Sequence, residues 1–142
     1  MSCGGLIGTK FAAKYPECVS ALYLDAPVLI LLSCPAGLGI ADDSMFKEFT
    51  DATGMTLSEL ICYREHPIDK MHLLLENKIP IMLVYGKADT VVPYIENGAI
   101  LEKYYRENGG IIVSIGKEAC EHHPHGLEDN SSIINFVEQF SL

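Results

Sequence analysis

Three short apolar runs constrain this 142-residue chain more than any other feature. They are VSALYLDAPVL (19–29), IPIMLVYG (79–86) and IIVSIG (111–116). Each is nearly continuous in apolar residues instead of alternating, the pattern of a strand buried on both faces of a parallel sheet. Helical patterns lie around them. Residues 3–15 carry apolar positions at helical spacing, with Pro16 directly after. IENGAILEKYYRENGG (95–110) closes on a Gly pair suited to a helix C-cap. In SSIINFVEQFSL (131–142), Ile133, Ile134, Val137 and Phe140 make one helical face, and Ser131 is the expected N-cap. Strands alternating with helices imply right-handed βαβ units and place the chain in the α/β class. The stretch from Leu31 to Lys78 breaks this rhythm with a loop, SCPAGLGIADD, and short helical patterns in SMFKEFTDATG and TLSELICYREH. The expectation is about three parallel strands with flanking helices and a helical insertion, all in one domain or part of one.

Composition narrows the function classes. A chain that is 49% hydrophobic has material for a core. A formal net charge of -9 argues against a nucleic-acid partner, which needs a basic surface. The longest apolar stretch, APVLILLSCPAGLGIA, is interrupted by Pro and Gly and is too short to cross a bilayer, so no membrane partner is expected. No segment resembles a signal peptide. Cys3, Cys18, Cys34, Cys62 and Cys120 form an odd, irregular set without a CxxC pair, which reads as free thiols in a reducing compartment.

Ligands and catalytic groups in open α/β sheets collect where strands end. Three such places carry chemistry here. Ser2 stands in MSCGG, just before the first helical pattern, and matches the x-S-x-G part of a nucleophile elbow, where small neighbours allow a strained turn. Asp89 follows the second run in VYGKADTVVP, and Glu121-His122-His123-Pro124-His125 follows the third. Serine is a poor nucleophile until an imidazole takes its proton, and the imidazole needs a carboxylate to fix its tautomer. Serine, acid, histidine is also the chain order of an α/β-hydrolase triad.

The stretches SCGGLIGTKFAAKYPECVSALYLDAPV, IPIMLVYGKADTVVPYIEN and EHHPHGL resemble, in order and over nearly the whole chain, the C-terminal half of an α/β-hydrolase. They are closest to esterases of the prolyl-oligopeptidase-like and dienelactone-hydrolase-like groups, and HHPHGL is similar to the histidine loop of esterases often associated with carbohydrates. The resemblance implies Ser2 as nucleophile, Asp89 as acid, His122 as base, the Cys3 backbone N–H as an oxyanion-hole donor, and residues 31–78 as a cap. It implies a serine hydrolase without a cofactor, acting on a small acyl ester, including one on a carbohydrate. A prolyl-oligopeptidase-type peptidase is the close alternative. Glu121 stands where the family usually has Gly before the catalytic histidine, so His123 stays open as the base. Some members carry the acid after the preceding strand, so Asp25 stays open as the acid.

The resemblance also implies that about half the domain lies upstream of Met1, leaving Ser2 without the strand that feeds an elbow. The first retained strand would then present an unpaired edge, a site of self-association. A short non-catalytic protein that binds a partner through that edge is the competing class. Plainer readings complete the expectations. Cys120, Glu121, His122, His123 and His125 offer metal-ligand types, but adjacent side chains on extended backbone point in opposite directions, so not all of them can converge on one ion and no metal site is expected. His66 and His72 read as ordinary surface or packing residues, and Glu96, Glu102 and Glu107 as a solvated face.

Overall fold

A computed structural model describes residues 1–141. Its centre is a three-stranded, all-parallel sheet in the order β1 (Leu22–Asp25), β2 (Ile81–Gly86), β3 (Ile112–Lys117). Leu22 pairs with Ile81, and Ile81 with Ile112, so the C-terminal ends of all three strands rise on one side. β2 is the middle strand, and Ile81, Met82, Leu83 and Val84 are each at most 1% exposed. That is why its sequence is apolar without alternation.

The outer strands depart from that pattern for physical reasons. β1 keeps only four residues of its apolar run, because Ala26 adopts a positive φ of 42° and turns the chain out of the sheet. Val28 and Leu29, past the turn, are still buried, now against other elements. β3 pairs only with β2 among the described residues, and Val113 is 42% exposed on it.

Helix α1 (Cys3–Lys14) lies on β1, with Gly5, Thr9 and Ala12 inward. α5 (Gly98–Glu107) links β2 to β3 and buries Leu101 and Tyr105 against the sheet; Gly109, at φ 74°, then provides the left-handed residue after the helix. α6 (Ser131–Phe140) differs from expectation at two points. Asn130 is its N-cap, while Ser131 is the first helical residue and donates its hydroxyl to Asp129. The buried residue is Phe136, whereas Ile134 and Val137 are exposed, so the inward face is rotated from the one that apolar spacing suggested. Leu142, the last residue of that segment, lies outside the described residues.

The insertion holds α2 (Phe46–Thr53), α3 (Leu57–Cys62), and a 3₁₀ turn at Pro67–Lys70 that runs into α4 (Met71–Glu76). Thr56 and Glu59 form a reciprocal capping box at the start of α3. Such short helices are marginal alone and depend on what they bury. Leu60 is fully buried beside Val28, Leu31 and Val92, which contributes about 1.5–3 kcal/mol. Polar ties add to this. Asn97 accepts from the Leu29 and Ile30 N–H groups, and His66 Nδ1 accepts from Leu31 N–H at 3.2 Å. Glu96 accepts from Ser33 Oγ and Ile40 N–H, both at 2.7 Å. Glu96 is thus a clamp on the insertion and not part of a solvated face, while Glu107 is exposed as expected. His66 is buried and His72 exposed. All five cysteines are free, and no described helix is long and apolar enough to cross a membrane.

Candidate active site

Ser2 sits where α1 begins, at φ 47° and ψ -126°, a conformation that costs a residue with a side chain about 1–3 kcal/mol. Hydrogen bonds hold it there. Its N–H donates to Asp25 O at 2.9 Å, and its own carbonyl accepts from Val28 N–H at 3.1 Å and Gly5 N–H at 2.8 Å. The strained turn is therefore stitched to the chain leaving β1. Gly5 allows the approach, since a Cβ there would lie 2.5 Å from Pro27 Cβ. Cys3 is the first residue of α1, so its N–H is among the first-turn amides that no helical carbonyl satisfies.

Asp89 follows β2, and its two carboxylate oxygens do different things. Oδ1 accepts from Val91 N–H at 2.9 Å and Val92 N–H at 2.8 Å, which fixes the turn. Oδ2 faces His122 Nδ1 at 2.8 Å. The side chain is 1% exposed.

The loop after β3 brings His122 to this carboxylate by crossing closely over the end of β2. Ala88 N–H donates to Cys120 O at 2.9 Å. A Cβ on Gly86 would meet the carbonyl oxygens of Glu121 and Cys120 at 2.2 and 2.3 Å, so the crossing requires glycine. His122 Nε2 then lies 3.1 Å from Ser2 Oγ. A carboxylate only accepts hydrogen bonds, so the network assigns the proton to Nδ1 and leaves an Nε2 lone pair facing the serine hydroxyl.

Asp25 is placed with a different histidine. It accepts from Tyr23 Oη at 2.9 Å and from the Gly126 N–H, and it faces His125 Nδ1 at 3.2 Å. Burial and the Asp25 carboxylate push the Tyr23 phenol pKa well up, keeping it a donor. His123 is exposed and lies edge-on to His122 with ring centroids 4.9 Å apart; it is bonded to neither Ser2 nor Asp89 among the described residues. Of the five metal-ligand types in this loop, three come together, all of them histidines. One ligand nitrogen from each of His122, His123 and His125 falls within 4.8 Å of the others, because the loop curls and does not run extended.

Beside Ser2 and α1, Cys3, Leu6, Val28, Leu31, Cys34 and Phe49 line an apolar pocket of about 300 Å³, walled on one side by the start of the insertion. Burial pushes the Cys34 thiol up to about 11, so it stays protonated and behaves as an apolar wall. Sequence reasoning missed Gly86, whose only signal is a glycine ending an apolar strand. It also missed the joining of Asp25 to His125 and Gly126, for which spacing carries no signal.

No family model matches the sequence, and no curated protein matches it. The solved structures supply the likeness. The chain is similar to a Mycobacterium tuberculosis puromycin-hydrolyzing peptidase (TM-score 0.70, 17% identity, 96% of this chain and 19% of that one). It is similar to an acylaminoacyl peptidase of Pyrococcus horikoshii (TM-score 0.69, 12% identity, 99% and 23%). It is also similar to an alpha/beta hydrolase enzyme from a sediment metagenome of the Mar Chica lagoon (TM-score 0.57, 21% identity, 97% and 58%). The chain thus spans about a fifth of the two peptidases and somewhat over half of the third protein. With its parallel sheet, flanking helices and these neighbours, this chain has the fold of part of an α/β-hydrolase.

Proposed function

We propose that this chain carries the catalytic machinery of a serine hydrolase that cleaves acyl substrates through an acyl-enzyme. The observation that carries this reading is the hydrogen-bonded series Asp89 Oδ2, His122 Nδ1, His122 Nε2 and Ser2 Oγ, with links of 2.8 and 3.1 Å. In the first step Ser2 Oγ bonds to the acyl carbonyl carbon while its proton moves to His122 Nε2. Asp89 stays ionised and stabilises the imidazolium. The Cys3 N–H donates to the developing oxyanion. His122 then passes the proton to the leaving group as its bond to the carbonyl carbon breaks. Water attacks the acyl-serine by the same route in reverse, with His122 as the base.

The preferred substrate is a carboxylic ester with a small acyl group. The apolar pocket beside Cys3 suits the acyl part, and residues 31–78 act as the cap that closes it. The carbohydrate side of such an ester rests on the likeness of HHPHGL alone. A peptidase is the second reading, favoured because the two neighbours of higher TM-score named above are peptidases. Both readings use the same three residues.

Fluorophosphonate labelling with peptide mapping tests the proposal. Labelling is expected at Ser2 and is expected to vanish in Ser2→Ala and His122→Ala. A folded protein that labels elsewhere, or that labels equally in both variants, would sink it. Turnover of p-nitrophenyl esters against peptide anilides then separates esterase from peptidase.

A further inference from the structure

The loop after β3 holds three imidazoles that the proposed hydrolysis only partly uses. His122, His123 and His125 each place a ring nitrogen within 4.8 Å of the others, and all three ring centroids lie 4.7–5.0 Å apart. Two of the rings are held by buried carboxylates. His122 gives Nδ1 to Asp89, and His125 gives Nδ1 to Asp25; both carboxylates are 1% exposed. A buried carboxylate on one ring nitrogen fixes the tautomer and aims the lone pair of the other, the usual arrangement around metal-bound histidine. The third ring, His123, is exposed.

We infer that His122, His123 and His125 form a binding site for a divalent cation of the zinc type, and that occupancy takes His122 away from Ser2. Imidazole suits zinc, copper and nickel more than calcium or magnesium. Three nitrogens at zinc–nitrogen distances of 2.0–2.1 Å around a tetrahedral ion stand about 3.4 Å apart. The nitrogens, within 4.8 Å of one another, therefore close by no more than about 1.4 Å, through rotation of the exposed His123 ring together with small shifts of the His122 and His125 rings against their carboxylates. Solvent or an added ligand fills the fourth position.

His122 has one lone pair, on Nε2, and Ser2 Oγ lies 3.1 Å from that atom. A cation bound there and the serine hydroxyl compete for the same electrons, so the metal silences the nucleophile without any change in the fold. This second part rests on the serine-hydrolase reading; the binding itself does not. It differs from zinc hydrolysis, because the ion acts here as a reversible block.

Isothermal titration of the purified protein with zinc chloride reads binding directly. One ion per chain is expected, weakened at least tenfold in both His123→Ala and His125→Ala and unchanged in His72→Ala, a histidine outside the cluster. Circular dichroism checks that each variant folds, and exposed His123 gives the variant least able to disturb folding. No stoichiometric zinc uptake, or equal affinity in folded His123→Ala and the parent, overturns the site. Fluorophosphonate labelling with and without saturating zinc reads the competition. Labelling of Ser2 is expected to fall at least tenfold with zinc, and to fall less in His123→Ala at the same zinc concentration. Binding without loss of labelling overturns the competition. A metal-free protein that never labels at Ser2 overturns the hydrolase reading instead, leaving the calorimetric result to stand on its own.

Discussion

Asp89–His122 and Asp25–His125 are built from the same parts. Each joins a carboxylate at a strand end to Nδ1 of a histidine in the loop after β3, and each carboxylate is 1% exposed. Each carboxylate is also held from behind by further donors: Val91 and Val92 N–H groups for Asp89, and the Tyr23 hydroxyl and Gly126 N–H for Asp25. They differ in what lies beyond the ring. His122 Nε2 meets the Ser2 hydroxyl, whereas the Asp25 pair has no such third member among the described residues and ties the loop to β1. A buried carboxylate–imidazole pair is thus a positioning device in itself, and only a nucleophile at its far end makes it part of a reaction.

The two pairs should differ most at Ser2 and His122. Removing either is expected to cost about 10⁶-fold in turnover of an activated ester, because the members of such a unit act together. Asp89→Asn is expected to cost about 10⁴-fold by freeing the ring to take the wrong tautomer, with the fold retained. Asp25→Asn is the counterpart. Its expected effect on turnover is smaller than that of Asp89→Asn, together with a loss of stability of about 1–3 kcal/mol in urea unfolding. Equal kinetic losses in the two Asn variants would show that the pairs are not distinct and return Asp25 to the role of acid.

Gly86→Ala acts on both pairs through the backbone. The added methyl would press on the carbonyls of Cys120 and Glu121 and shift both histidines together, with about 1–3 kcal/mol lost from overpacking and turnover reduced by about 10²-fold. Wild-type turnover in this variant would mean that the loop tolerates displacement.

The smallest effect concerns a histidine outside both pairs. Burial lowers the pKa of His66, whose Nδ1 accepts from Leu31 N–H, and a protonated ring would set two donors against each other. Its contribution to stability is complete above the ordinary histidine pKa of about 6.5 and is lost as pH falls from there through the lowered value, since the unfolded state takes up the proton first. Urea midpoints between pH 8 and 5 should fall more steeply in the parent protein than in His66→Gln. Parallel slopes would remove His66 as the source.

Much of this was legible in the sequence, for reasons that are local. The run IPIMLVYG marked a strand covered on both faces, and β2 occupies the middle of the sheet. The edges read less well: an edge strand such as β3 needs less apolar surface than its run supplies, and the turn at Ala26 leaves no mark in hydropathy. The inward face of α6 escaped because apolar residues occur around more of the helix than it buries, so spacing alone did not single out Phe136. Glu96 escaped because its partners, Ser33 and Ile40, lie 63 and 56 residues away.

The sequence by itself determined the class of element at each place and put a serine, an aspartate and a histidine cluster beside strand ends, since periodicity and turn chemistry act over a few residues. Only the tertiary structure decided which aspartate faces which histidine, that three neighbouring imidazoles converge, and that Glu96 clamps the insertion. Such pairings depend on the parallel register, on the close crossing that Gly86 permits, and on the curl of one loop. Those are meetings between residues up to 120 positions apart, set by packing and not by neighbours in the chain.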